Sequence, residues 1–407
     1  MNSAPPDSFS FNPLSPHLRV DPYLDYAHLR HREPVYFCKE LGVWILTSYP
    51  HVAQFLGEGE RLQLQYVSAQ TARMGLQVLE EPYFKALRKM IVVLDNPDHD
   101  RIRSLFNQAF GPKQISALRS AIERGADEII DGFIDRREGD LVAEFCFKFP
   151  VRVIGDMLGI PAKDHDRIGD IAYALNAVFE WLPMSPDTLQ KVNDSVEKLT
   201  EYFRELQEYR RREPGPDLFS ALVKCADQDK GISDEELISN AILIYIAGHE
   251  TSAGALSLGL LALHRNPDEL QRLRDNPSLV TTAVPELMRY DASGQATGRI
   301  AMADIQFGDI SIPAGSFVIG YIGAANRDAS VYPEPDRLDL GRKPTARLLN
   351  FGGGGHFCLG NMLARMELEV AYTHLLRRLP DLQLKTLDPP FRETALMRGV
   401  ARLDARW

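Results

Sequence analysis

The sequence predicts a mainly α fold with a minor β region, built as a single large domain. Three observations carry this. From about residue 98 to 290, apolar residues recur at three- to four-residue spacing. Strand-like apolar runs with Gly and Pro turn signals are confined to 34–47 and 300–322. No Gly/Ser linker, low-complexity tract or internal repeat divides the 407 residues.

Taken in order, residues 1–33 are polar and proline-rich and read as an extended N-terminal segment. They lack the charged-then-apolar order of a secretory signal. PVYFCKELGVWILT (34–47) reads as a hairpin turning at Gly42 and opens a small β region over 34–94. A helical body fills 95–290, in which ISALRSAIERGADEIIDGFID and LQKVNDSVEKLTEYFRELQEYRR are amphipathic helices. The most informative helix starts at Ser233, because Ser233 and Glu236 form a capping-box pattern. It runs on as LISNAILIYIAGHETSAGALSLGLLALH. That is apolar enough to raise a membrane span, but Glu250 at its middle is expensive in a bilayer and in a dry core alike. It therefore reads as a buried central helix whose polar middle lines a cavity. Residues 291–407 mix strands, a glycine-rich loop and a final helix, LGNMLARMELEVAYTHLLRRL, with Leu359, Leu363, Met366 and Val370 on one face. ASGQATG (292–298) reads as small, polar and flexible.

The formal net charge of −10 argues against general nucleic-acid binding, which needs a basic surface to displace counterions. Cys38, Cys146, Cys225 and Cys358 are far apart and show no paired spacing, the pattern of reduced thiols in a cytoplasmic protein. No run of the sequence reads as a membrane anchor.

The chemistry concentrates in NFGGGGHFCLGNMLARME (350–367), where four glycines precede His356 and Cys358 at the start of a helix. A helix N-terminus favours thiolate over thiol. Glycines let the backbone fold tightly and bring N–H groups to the sulfur, which suits a metal-bound thiolate. A zinc site lacks a matching CxxC here, and a phosphate loop lacks its GK[ST].

Phe351-Gly352-x-Gly354-x-His356-x-Cys358-x-Gly360, followed by Ala364-Arg365, resembles the haem-binding signature of the cytochrome P-450 family. Ala247-Gly248-His249-Glu250-Thr251-Ser252 resembles its oxygen-activating stretch, and Glu286-Leu287-Met288-Arg289 its Glu-x-x-Arg helix. Asn326-Arg327-Asp328 with Pro335-Asp336-Arg337 resembles its meander, and DNPDHDRIR (95–103) the start of the helix at the haem edge. Chain length and the missing anchor resemble the soluble bacterial branch.

The resemblance implies a long central helix lying over haem b, with the Cys358 thiolate as axial iron ligand. A thiolate ligand pushes electron density through iron and favours O–O cleavage. It implies that His99, Arg103, Arg299 and His356 clamp the propionates, that Phe351 and Gly360 shape the loop, and that Ala247 and Gly248 face the haem. His99 and Arg103, four apart, share one helix face. Gly248 is expected to let the helix open locally, and His249 to be a structural or channel residue. Thr251 and Glu250 are implied to deliver protons, a hydroxyl beside a carboxylate being a suitable relay. Arg337 is expected to complete a buried charge network with Glu286 and Arg289. The segment 61–93 falls where the family places its substrate lid.

The implied activity is a monooxygenase of secondary metabolism that inserts one atom of O2 into a largely apolar small molecule, hydroxylation first among its reactions. The apolar face expected beside the reactive position is Ile242, Leu243, Ile246 and Ala247. No flavin or iron–sulfur pattern is fused to the chain, so electrons come from a separate ferredoxin or flavodoxin and its reductase. Arg342, Lys343, Arg347 and Arg365 are the candidate docking patch, against the reading of a scattered solvated surface. A monomer is expected. The alternatives are a peroxide-driven, coupling or isomerising haem-thiolate enzyme and a non-catalytic haem-binding protein. The family's usual proline after Asn-Arg-Asp is replaced by Ala329, and Asn96 stands where a proline often precedes Pro97; neither touches the chemistry.

Overall fold

The computed structural model describes residues 11–407 apart from 66, 69, 70, 72, 73, 176–183, 229–230 and 395. Part of the expected lid at 61–93 therefore lies outside the described residues. The central helix, Asp234–Arg265, organises everything else. Its start is the expected capping box: Ser233 Oγ accepts from the Glu236 N–H at 3.2 Å, and the Glu236 carboxylate accepts from the Ser233 N–H at 2.9 Å. At about 1.5 Å per residue it is about 48 Å long, and helices Lys148–Met157, Pro186–Arg212, Val280–Tyr290 and Asn361–Arg378 pack against it. It is apolar all round because it is enclosed all round. Among the described residues, no helix is long and apolar enough to cross a membrane.

The minor β region gathers strands from both ends of the chain. β1 (Val35–Cys38) and β2 (Val43–Leu46) form the expected hairpin. Three further strands, β3 (Leu62–Gln63), β5 (Ala296–Ala301) and β8 (Phe317–Tyr321), complete a sheet of order β1-β2-β8-β5-β3. β4 (Glu138–Asp140) pairs with β10 (Asp404–Arg406), which pairs with β9 (Gln383–Leu384). β6 (Ile305–Phe307) and β7 (Ile310–Ile312) form a two-stranded ribbon.

Three expectations are corrected. The N-terminal segment is not extended throughout: His17–Val20 and Tyr23–Arg32 are helical. Pro16 and Pro22 stand at their N-caps, and Tyr23, Tyr26 and Leu29 are buried at three-residue spacing. ASGQATG is not a flexible stretch. Ala292, Ser293 and Gln295 are buried, Gln295 N–H donates to Leu396 O at 2.9 Å, and Ser293 O accepts from Arg398 N–H at 2.7 Å. The final helix begins at Asn361, so Leu359 lies in the loop before it while Leu363, Met366 and Val370 are buried on the helix.

Candidate active site

The glycine loop is pressed against the end of helix Tyr49–Gly57. Gly352 (φ +71°) and Gly354 (φ +61°) take backbone conformations that side chains disfavour. A Cβ on Gly353 or Gly354 would lie 3.0 or 3.1 Å from the Leu56 carbonyl. The loop closes where the Cys358 N–H donates to Phe351 O at 2.8 Å, and Asn361 Nδ2 donates to Cys358 O at 2.9 Å. The backbone of Cys358 is thereby satisfied and its Sγ left for another partner. Burial pushes the thiol's pKa up, while the Gly360 N–H and the Arg103 guanidinium pull it down; burial is the largest of the three. Burial thus opposes the thiolate here, and a metal cation bound at Sγ would favour it.

Next to this loop lie two guanidiniums, Arg103 and Arg299, and two imidazoles, His99 and His356. Arg103 Nη2 donates to Phe357 O at 2.6 Å, one residue from Cys358. The His99 and His356 rings are 4.3 Å apart, and His99 Nε2 is buried without a hydrogen-bond partner. Arg299 is buried, and its guanidinium donates to the carbonyls of Phe55, Leu56 and Glu58, with no carboxylate in direct ion-pair contact among the described residues. Desolvation lowers the pKa of Arg299 and Arg103. His356 is pushed down to about 3, first by burial and then by the charges of His99, Arg299 and Arg103. Asp95, Asp100 and Glu58 are the acids felt by this cluster, and burial raises the Asp95 carboxyl. Such a cluster is costly unless anions join it.

On the central helix, burial is continuous from Leu237 to Leu263 except at Ala247, Gly248, Thr251 and Ala255. Ala247, Thr251 and Ala255 are spaced by four and so form one face. That face is half-buried where its neighbours on the helix are buried. Thr251 Oγ1 donates to Ala247 O at 2.9 Å. Glu250 turns away from that face: it is buried and ion-paired through Oε1 with Arg392, and its Oε2 has no hydrogen-bond partner. The structure does not bring the Glu250 carboxylate and the Thr251 hydroxyl into contact. His249 is buried, its Nδ1 bonded to Tyr245 O at 2.7 Å, and burial holds its pKa down to about 4.

A cytochrome P450 family model matches residues 68–400 of the chain. The chain belongs to the cytochrome P450 family. It is 35% identical over 390 residues to a putative cytochrome P450 133B1 of Xylella fastidiosa, covering 96% of each chain. It is likewise 35% identical to the vitamin D(3) 25-hydroxylase of Pseudonocardia autotrophica, covering 94% of this chain and 93% of that one. A crystal structure of P450BioI, in complex with an acyl carrier protein ligated by hexadec-9Z-enoic acid, superposes with a TM-score of 0.89 at 30% identity. That match covers 97% of this chain and all of the other. The protein is a haem-thiolate monooxygenase, with haem b as its cofactor.

The residues of this P450 fit a haem. Two propionates would supply the anions that the His99, Arg103, Arg299 and His356 cluster lacks, and the orphaned His99 Nε2 would gain an acceptor. Phe351 is buried beneath the Arg365 guanidinium, 5.1 Å from its ring centroid, and contributes the carbonyl that fixes Cys358. Gly360 caps the final helix and gives its N–H to the sulfur.

Several sequence assignments move. Gly248 is small because of the helix behind it: a Cβ there would lie 2.7 Å from Ile154 Cδ1. The central helix continues through it without the expected local opening. Arg337 does not complete the charge network. Its side chain is 61% exposed and pairs with Glu334, while only its carbonyl accepts from Arg289. Arg342 takes that place, with Nε 3.0 and 3.1 Å from the two oxygens of Glu286, and so is lost from the docking patch. The long sequence separation of that pair, and of Glu250 from Arg392, left no local signal for either. Ala255, by contrast, was within reach of a four-residue count from Thr251.

Proposed function

We propose that Cys358 is the iron ligand and that His99, Arg103, Arg299 and His356 hold the propionates. The observation that carries this is the convergence of two guanidiniums and two imidazoles, Arg299 and His99 among them buried, with Arg103 bonded to the carbonyl of the residue before Cys358. When bound, the haem supplies reductive activation of O2 and transfer of one oxygen atom to the substrate. The chain's own residues hold the substrate, exclude water and place protons. Ala247, Thr251 and Ala255 form the floor on which a largely apolar small molecule lies, and buried Leu243 and Ile246 on the same helix keep the surroundings dry. Hydroxylation is the favoured reaction, within secondary metabolism. Thr251 holds a proton at Oγ1, shared with Ala247 O, and Glu250 resupplies it through solvent. A monomer in the cytoplasm is the expected state.

The Thr251→Ala variant tests this reading. It removes the hydroxyl without touching the cationic cluster, so haem content is expected to stay normal. Coupled product formation is expected to fall about 10²-fold as electrons go to hydrogen peroxide, the lower range for a lost proton-transfer group. Unchanged coupling of electrons to product would remove Thr251 from the reaction.

Electrons arrive from a separate ferredoxin or flavodoxin. After the loss of Arg342, the docking cations are Lys343, Arg347 and Arg365, all exposed. Arg347 also donates to Gly352 O at 2.8 Å, inside the cysteine loop. Steering by exposed charges is screened within about 8–10 Å at physiological salt. Reduction by an acidic ferredoxin is therefore expected to slow as salt rises, and more weakly in an Arg365→Gln/Lys343→Gln variant. Salt-independent reduction would dismiss the patch.

A further inference from the structure

The acid of the proposed proton supply is held by a residue from the far end of the chain. Residues 391–392 and 399–400 are drawn together into a return: Phe391 bridges Val400, and the Arg392 N–H donates to Gly399 O at 3.0 Å. This return lies directly on the central helix. A Cβ on Gly399 would sit 3.4 Å from Gly254 Cα, and one on Gly254 would sit 2.9 Å from Arg398 O. Two glycines thus let two backbones touch one helical turn beyond Glu250, on the same face. The Arg392 side chain passes over Gly399, Nε and Cδ lying 3.3 and 3.4 Å from where a Cβ would be, and reaches the Glu250 carboxylate.

Arg392 also lines a cavity of about 240 Å³ together with Leu14, Leu18, Met184, Thr188 and Thr394. Arg19, Arg398 and the Glu393 carboxylate complete the charged part of that wall. Arg398 is committed to Asp291 at 2.8 Å and to Val20 O at 2.9 Å. Among the described residues, Glu250 is the ion-pair partner of Arg392. One guanidinium therefore spans an amphiphilic cavity and a buried acid. Drawing it into the cavity leaves a desolvated cation unless an anion meets it there. It also leaves a buried carboxylate without a counter-ion, which such a site relieves by taking up a proton.

We infer that Arg392 is the positioning residue for Glu250, and that this cavity takes the carboxylate of an amphiphilic ligand in exchange for it. With the cavity empty, Arg392 keeps Glu250 ionised and turned from the Thr251 face. With a carboxylate bound, Arg392 pairs with the ligand, and Glu250 takes one proton from solvent and becomes a donor. The charge balances: one carboxylate enters, one is neutralised. This deepens the reading of Glu250 as proton source and rests on it.

The groups facing Glu250 bear on where the proton goes. His249 Nε2 is 3.9 Å from Glu250 Oε2 and has no hydrogen bond of its own. Cys146 and Tyr173 act on Arg392 through space. On the neighbouring final helix, Glu367 is occupied by Ser252 at 2.7 Å. Burial holds His249 down to about 4 and raises the Glu367 carboxyl to about 8, so among the described residues Glu367 is the other group near this turn that carries a proton at neutral pH.

The test is calorimetric binding of dodecanoate and of dodecanol to the haem-loaded enzyme in buffers of different ionisation enthalpy. Dodecanoate is expected to bind with uptake of about one proton near neutral pH, and more tightly as pH falls; dodecanol is expected to show neither. Glu250→Gln frees Arg392, so dodecanoate is expected to bind about tenfold more tightly with no proton uptake. Arg392→Gln is expected to lose the preference for dodecanoate, and Arg392→Lys to restore part of it. Equal binding of acid and alcohol by the wild type overturns the inference, as does proton uptake that persists in Glu250→Gln. Failure of the underlying reading looks different: Glu250→Gln would then keep full coupling of electrons to product whatever the binding data show.

Discussion

Glu286→Ala is expected to destabilise the protein by about 3–5 kcal/mol, the cost of breaking a buried ion pair on one side. Glu286 accepts from Arg289 Nε at 2.7 Å and Nη2 at 2.9 Å, from Arg342 Nε at 3.0 Å, and from the Asp339 N–H at 3.0 Å. Removing it leaves two desolvated guanidiniums. Arg289 keeps the carbonyls of Asn326 and Pro335, at 3.0 and 2.8 Å, but loses its counter-ion. A domain is stable by only about 5–15 kcal/mol, so the loss is a large share of the total. The same residues tie the helix Val280–Tyr290 to the meander that precedes the cysteine loop. Haem content is therefore expected to fall with stability. Denaturant unfolding and the haem-to-protein ratio check both, and a normal ratio with an unshifted midpoint would refute the network's role.

Cys358→Ser is expected to abolish oxygen insertion while leaving the fold in place. Oxygen is smaller than sulfur, and the loop's closure depends on the Cys358 N–H and carbonyl, which serine keeps. The propionate cluster on His99, Arg103, Arg299 and His356 is also untouched, so some haem is expected to be retained. What is lost is the thiolate's electron donation. Turnover at or below about one thousandth of wild type is the expected result, on the scale of removing a group essential to the chemical step. Circular dichroism and unfolding midpoint separate this from misfolding. Wild-type turnover in Cys358→Ser would remove the cysteine from the chemistry.

What was legible in the sequence is local, and what was not is long-range. The capping box at Ser233 and Glu236 involves residues three apart, and the helix started where it pointed. The β1–β2 hairpin turned at Gly42 as its spacing predicts. The cysteine loop could be read because its glycines, histidine and cysteine are contiguous. By contrast, Arg342 rather than Arg337 sits on Glu286. Choosing between two arginines five residues apart needs the path of the meander, which no periodicity encodes. ASGQATG reads as flexible from its composition, yet it is held by 396–398 and by the close contact of Gly254 with Ser293. The helix Tyr23–Arg32 carries a local signal as well, Pro22 at its cap and apolar residues at three-residue spacing. Glu250 and Thr251 are neighbours in sequence but lie about 100° apart around a helix. Their adjacency hid that Thr251 lies on the half-buried stripe while Glu250 faces Arg392.

The central claim is that Cys358 gives its thiolate to a haem iron seated against the cationic cluster. The absorption spectrum of the reduced protein with and without carbon monoxide tests it most directly. A strongly red-shifted Soret band at one haem per chain is the predicted result. A Soret band at the position typical of histidine-ligated haem would contradict it, since the cysteine would then be protonated or displaced in the reduced enzyme.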